Sequence, residues 1–245
     1  MTKRVVAGAA ALLLLVACGG GGEPEPSSPA GSMPSTFKAL AEKALEATYR
    51  FDYNIVGPTG DLEETGTLYR KPPKMRIDRS FGSPSVLSTL IWRDDELIDC
   101  DRPEGGEWRC AVSPSEGLAD GLPLVITHPE RFKITERERR TLAGEETDCF
   151  LAVPAGEVTP PFPEEFEVCL SADGAPLFQR TRSRVSDDAE GNASPHIEVT
   201  REATSYTTQV DDSDFDPPAE PIMWRLPNGT STERFFLCLV ARGYA

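Results

Sequence analysis

Two histidines, six cysteines and 40 aspartates and glutamates are the side chains in this 245-residue chain from which chemistry could be built. His128 stands in Thr127-His128-Pro129, a loop sequence, and His196 is far from it in the chain, so a histidine general base or metal centre has little material. Asp94-Asp95-Glu96 falls in a turn, and Asp211, Asp212, Asp214 and Asp216 lack the ligand spacing and the glycine of a calcium loop. There is no GxSxG elbow, no HExxH pair, no phosphate-cradling Walker loop and no dinucleotide-binding glycine fingerprint. The residues therefore point away from an enzyme, with no catalytic residue, no metal and no cofactor to name.

The cysteines carry more information. Cys18 closes an apolar N-terminal run, while Cys100, Cys110, Cys149, Cys169 and Cys238 follow in the body of the chain. In an exported protein such cysteines are disulfide candidates first. Cys100 and Cys110 enclose Pro103, Gly105 and Gly106, as at a hairpin, and Cys149 and Cys169 sit in successive candidate strands. The expected pairs are Cys100 with Cys110 and Cys149 with Cys169, although four cysteines allow three connectivities and sequence does not choose among them. A zinc site would want CxxC spacing or nearby histidines, and neither occurs. Cys238 is left over within Phe235-Phe236-Leu237-Cys238-Leu239-Val240, which reads as a late edge strand, a dimer contact or an unnatural tail.

The export expectation comes from the N-terminus. Lys3 and Arg4 precede Val5 to Val16, a leucine-rich stretch too short to span a bilayer and of the length of a cleaved signal. Leu15-Val16-Ala17-Cys18 resembles the lipobox of bacterial lipoproteins, which implies lipidation of Cys18, residues 1–17 as signal peptide and a membrane as partner through that anchor. Four glycines and a Pro/Glu/Ser mixture over residues 18–35 have no apolar periodicity and read as a tether. The expected localisation is extracytoplasmic, lipid-anchored to the cell membrane.

Beyond the tether, a single domain is expected over residues 36–216, followed by a C-terminal tail over 217–245. The net charge of −15 and pI near 4.6 would repel a phosphate backbone, so nucleic acid is excluded as a partner, and the charge favours a soluble monomer. Phe37, Leu40, Ala41, Ala44, Leu45 and Thr48 repeat at helical spacing, with Ser35 or Thr36 as cap. The period then drops to two. Phe51, Tyr53 and Ile55 mark a strand, and Thr65–Arg70, Met75–Asp78, Val86–Trp92, Glu96–Asp101 and Trp108–Val112 follow with connections too short for crossover helices. Further strands are expected at Arg131–Arg137, Asp148–Val153, Phe166–Ser171, Pro176–Arg184, Ile197–Thr204 and Tyr206–Val210, ordered as a meander. Residues 113–129 lack alternation and suit a short helix or lid.

The order of these features, with Phe51-Asp52-Tyr53, Gly66-Thr67-Leu68-Tyr69-Arg70-Lys71-Pro72-Pro73-Lys74-Met75-Arg76 and Thr89-Leu90-Ile91-Trp92, resembles the lipoprotein-carrier superfamily that includes LolA/LolB and LppX/LprG-like proteins. The match runs over about residues 36–110, with a looser meander to about 216. That resemblance implies an α+β fold: a curved antiparallel β-sheet, or half-barrel, with an N-terminal amphipathic helix and a second helical lid on its concave face. It also implies an apolar cavity for acyl chains. Phe51, Tyr53, Ile55, Leu68, Met75, Ile77, Leu90 and Trp92 are the candidate lining residues. The expected function is binding or carrying a lipid or other apolar ligand in that cavity. The alternative is a cell-envelope structural or interaction module whose core is filled.

Overall fold

A computed structural model describes residues 33–81, 86–93, 95–114, 122–156, 163–184 and 196–223. The signal peptide, Cys18, most of the tether, Cys238 and the tail beyond residue 223 lie outside the described residues, as does part of the 113–129 segment. The chain opens with helix α1 (Ser35–Glu46), followed by β1 (Tyr49–Val56), β2 (Leu62–Lys71), β3 (Lys74–Phe81), β4 (Val86–Arg93), β5 (Glu96–Arg102) and β6 (Arg109–Pro114). A single helical turn, α2 (Leu124–Thr127), leads to β7 (Phe132–Glu136), β8 (Arg140–Leu142), β9 (Glu145–Pro154), β10 (Pro163–Ser171), β11 (Pro176–Arg184), β12 (His196–Thr207) and β13 (Ile222–Met223).

All thirteen strands join one sheet, in the order β13-β6-β5-β4-β3-β2-β1-β12-β11-β10-β9-β7, with β8 also on β9. Its two ends are different strands that do not pair with each other, so the sheet stays open. Every pairing is antiparallel except that of β13 with β6. The fold class is therefore α+β, a mostly antiparallel sheet with an N-terminal helix and a second helical element.

Two expectations need correction. The strands are not a simple meander: β1 to β6 run outward in one direction, the chain crosses to the far end, and β7 to β12 return until β12 pairs with β1. Short loops fix only which neighbours pair, and the long segment between β6 and β7 carries the crossover. Ile197–Thr204 and Tyr206–Val210 are not two strands but one, β12, which bends where its register against β1 shifts between Asp52 and Tyr53.

The α1 stripe is also narrower than expected. Phe37, Leu40, Ala41 and Ala44 are buried, whereas Leu45 is 47% exposed and neither Ser35 nor Thr36 caps the helix through its side chain. The buried face meets Val125 and Ile126 of α2 and the apolar residues Phe132, Ile134, Phe150, Phe166 and Val168 of β7, β9 and β10. Phe37 sits edge-on to Phe150 at 5.0 Å, and Phe132 edge-on to Phe166 at 5.5 Å. The face that carries both helices is called the inner face below.

The outer face has its own covers. Cys100 and Cys110 are directly opposed on β5 and β6, Cys149 and Cys169 on β9 and β10, and both pairs form disulfides. The chain after β12 crosses back over β2–β6: Phe215 packs on Ile91, Ile98 and the Cys100–Cys110 bridge, and Arg76 Nη1 donates to the Asp214 and Asp216 carbonyls. Residues past 216 continue to β13, which lies along β6. At the other end, the β8 hairpin turns through Ala143 and Gly144, both at positive φ. It is tied down by Glu167, 5% exposed, whose two oxygens take Arg140 and Arg180 at 2.6 Å each.

Candidate functional site

Directly opposed residues of an antiparallel pair project from the same face, so the strand registers settle where each candidate lining residue stands. Phe51 pairs with Leu68, Leu68 with Ile77, and Ile77 with Leu90, a continuous apolar row over four strands. One pleat nearer α1, Tyr49 pairs with Arg70, Arg70 with Met75, and Met75 with Trp92. Tyr53 and Ile55 continue the face along β1. All eight candidates thus share one face. Five of them are buried, namely Phe51, Tyr53, Leu68, Met75 and Leu90, while Ile55, Ile77 and Trp92 keep part of their surface accessible.

Arg70 identifies this face as the inner one. Its guanidinium donates to the carbonyls of Ala44 (2.8 Å), Ala47 (2.9 Å) and Leu45 (2.8 Å), the last turn of α1 and its C-cap residue. A helix end leaves these acceptors without intrahelical donors and carries partial negative charge, so a planar, multiply donating cation answers both needs. Gly174 allows α1 to approach the β10–β11 turn: a Cβ there would fall 2.5 Å from the Ala44 nitrogen.

A polar group interrupts the apolar face on the side of the Phe51–Leu90 row away from α1. Tyr53 stands opposite Gly66, and its hydroxyl donates to Glu64 Oε1 at 2.7 Å. Gly66 makes this contact sterically feasible, since a Cβ would lie 2.5 Å from the Tyr53 hydroxyl oxygen. Arg79 is the cross-strand neighbour of Gly66, and Arg201 that of Ile55. Arg201 lies over the rings of Phe51 and Tyr53 at 5.9 and 5.8 Å and donates to Gln179 Oε1 at 2.9 Å. Asp99 stands at the end of the apolar row, opposite Leu90.

Burial pushes the Glu64 carboxyl above its ordinary range, against the Tyr53 hydrogen bond and the charges of Arg79 and Arg201. Burial raises Asp99 as well, with Arg79 opposing and Asp101 reinforcing. Burial and Glu64 raise the Tyr53 phenol, and burial pushes Tyr49 up to about 12 despite Arg70 and Arg201. Two further donors on this face, Tyr49 Oη and Trp92 Nε1, are buried without a hydrogen-bond partner among the described residues.

Sequence reasoning placed the apolar residues and missed Glu64, Arg79, Asp99 and Arg201. A signal existed for Glu64: it alternates with Gly66 and Leu68, and a glycine inside a strand marks a close approach. Arg79 and Arg201 become visible only once the β2–β3 and β1–β12 registers are known. The disulfides lie on the outer face and are not part of this group. A shallow, open depression of about 350 Å³ is bordered mainly by outer-face residues, among them Asp52, Asn54, Thr65, Thr67, Asp78 and Ser80. Tyr53, Gly66 and Arg79 of the inner face also border it. Among the described residues no cluster of three or more His, Cys, Asp or Glu is placed to hold a metal, and no helix is long and apolar enough to cross a membrane.

No protein-family model matches the chain, and no curated protein matches it. Among solved structures it is similar to an uncharacterized conserved protein from Thermus thermophilus, with 12% identity, TM-score 0.48, and 78% of this chain and 98% of that one covered. It is similar to the MucA/MucB complex of Pseudomonas aeruginosa, with 13% identity, TM-score 0.47, and coverage of 80% and 68%. A LolA superfamily protein from Nitrosomonas europaea gives 8% identity, TM-score 0.32, and coverage of 74% and 97%. These are loose likenesses of architecture, and nothing that those proteins bind is carried over to this chain.

Proposed function

We propose that the chain is an extracytoplasmic protein, anchored through lipidated Cys18, that binds or carries a lipid or other apolar ligand on the inner face of its open sheet. The observation that carries this reading is the partly accessible apolar group Ile55, Ile77 and Trp92, which the strand registers place on one face beside the buried Phe51, Leu68 and Leu90. Apolar surface that the protein leaves uncovered is available for a ligand, at about 25 cal/mol per Å² removed from water. Trp92 Nε1, buried and without a partner among the described residues, adds a donor that a ligand oxygen would satisfy. The two buried disulfides support an oxidising compartment.

A second reading has its own support. Phe51, Tyr53, Leu68, Met75 and Leu90 are already buried, as in a filled core, and that favours a cell-envelope interaction module without a ligand. The two separate by experiment. The immobilised full chain is expected to retain radiolabelled methyl oleate, with Ile77→Lys or Trp92→Lys lowering retention at least tenfold. Ile222→Lys, at an exposed position, is expected to leave it unchanged. No retention by the wild-type chain would reject the ligand reading in favour of the filled module.

A further inference from the structure

The inner face is not uniformly apolar, and the arrangement of its polar residues says what kind of ligand suits it. Successive same-face rows of a strand are about 7 Å apart. Within that distance the Phe51–Leu68–Ile77–Leu90 row gives way to Tyr53–Gly66–Arg79–Ser88, and the next row brings Glu64 beside Ile55, with Arg201 and Gln179 on the other side of β1. A ligand lying along the strands would therefore meet hydrocarbon at one end and hydrogen-bonding groups at the other.

We propose that this polar group takes the head of a neutral, hydroxyl-bearing amphiphile of the monoacylglycerol class, its acyl chain running along β3 and β4 over the partly accessible Ile77 and Trp92. The inference rests on the ligand reading above and specifies the ligand. Three features select the head. Glu64, 5% exposed, accepts from Tyr53 through Oε1, which leaves Oε2 able to accept from a ligand hydroxyl. The Tyr53 oxygen keeps a lone pair, and the Ser88 hydroxyl, which accepts from Arg79 at 3.4 Å, can still donate, so a head that both donates and accepts is matched. The register places Arg201 opposite Ile55, Glu64 also opposite Ile55, and Arg79 opposite Gly66, so both guanidinium groups act on Glu64, and Arg79 acts on Asp99 as well. A phosphate or carboxylate head would bring further negative charge beside those carboxylates, whereas a neutral head leaves the balance intact.

The test uses the immobilised full chain and three radiolabelled ligands with the same oleoyl chain: 1-monooleoylglycerol, oleate and methyl oleate. The expected result is at least tenfold tighter retention of 1-monooleoylglycerol than of either other ligand. Tyr53→Phe and Glu64→Gln should each narrow that margin to threefold or less, with far-UV circular dichroism confirming the fold. Equal retention of all three ligands, or a margin that survives both substitutions, would overturn the headgroup assignment while leaving acyl binding intact. Failure to retain any of them would overturn the ligand reading as well.

Discussion

Replacing Arg70 with methionine should loosen α1 from the sheet. The guanidinium makes three charge-assisted hydrogen bonds to the end of the helix, at 2.8, 2.9 and 2.8 Å. Bonds to a charged group each contribute about 1.5–3 kcal/mol. The net loss is smaller than three times that, because carbonyls released at a helix end regain water and methionine keeps part of the buried stem. A loss of about 3–5 kcal/mol, roughly that of two such bonds, is the expected value. Against a total stability of about 5–15 kcal/mol for a domain, this is readily measured. Lysine keeps the attraction to the helix end, about 0.3–1 kcal/mol, but cannot span three carbonyls in one plane, so Arg70→Lys should fall between wild type and methionine. Urea unfolding of the full chain, followed by far-UV circular dichroism and tryptophan fluorescence, measures both. A methionine variant within about 1 kcal/mol of wild type, or a lysine variant as unstable as the methionine one, would refute this account of how α1 is held.

Three further outcomes are expected. Removing the disulfides pairwise as Cys100→Ala/Cys110→Ala and Cys149→Ala/Cys169→Ala should lower unfolding free energy by about 2.7 and about 3.3 kcal/mol, from loop-closure entropy at separations of 10 and 20 residues. A loss below about 1 kcal/mol in urea unfolding of either variant would contradict a stapling role. Glu64→Gln retains an acceptor for Tyr53 but removes a carboxyl held above its ordinary range by burial, so the stability that this group provides in wild type is full at low pH and lost as pH rises through its folded value. The stability of the glutamine variant relative to wild type should therefore be greater at about pH 7 than at about pH 4, and a difference that runs the other way would show the sign to be wrong. Gly66→Ala should cost about 1–3 kcal/mol by overpacking, because the new Cβ meets the Tyr53 hydroxyl and the Asp78 carbonyl oxygen; a neutral or stabilising substitution would show that this approach is relaxed easily.

Much of the fold was legible because short connections and alternating apolar residues constrain local pairing. Phe51, Tyr53, Leu68, Ile77 and Leu90 could be assigned to strands whose loops force antiparallel neighbours, and the hairpin around Cys100 and Cys110 and the successive strands of Cys149 and Cys169 suggested the cysteine pairs without choosing among the three connectivities. The crossover between β6 and β7 was not legible, since no local pattern reports that a chain leaves one end of a sheet for the other. β8 escaped because a three-residue strand offers no period to read. The polar half of the inner face was hidden for a related reason: Glu64, Arg79 and Arg201 are charged residues in strands, which read as solvent-facing until the register places them opposite Ile55 and Gly66. The strap that brings Phe215 onto the outer face contains an acidic run, Asp211 to Asp216, that reads as solvated, yet its backbone carbonyls, Phe215 and the Asp212 carboxylate, which pairs with Lys71 and Lys74 at 3.2 Å, make the attachment.

The central claim is that an acyl ligand occupies the inner face. Its most direct test is native mass spectrometry of the full chain purified in mild detergent from bacterial envelopes, followed by organic extraction and identification of any bound lipid. The account predicts a discrete mass increment that yields an acyl lipid on extraction and that disappears in a folded Ile77→Lys variant; a clean ligand-free mass for wild type, or an increment unaffected by Ile77→Lys, would contradict it.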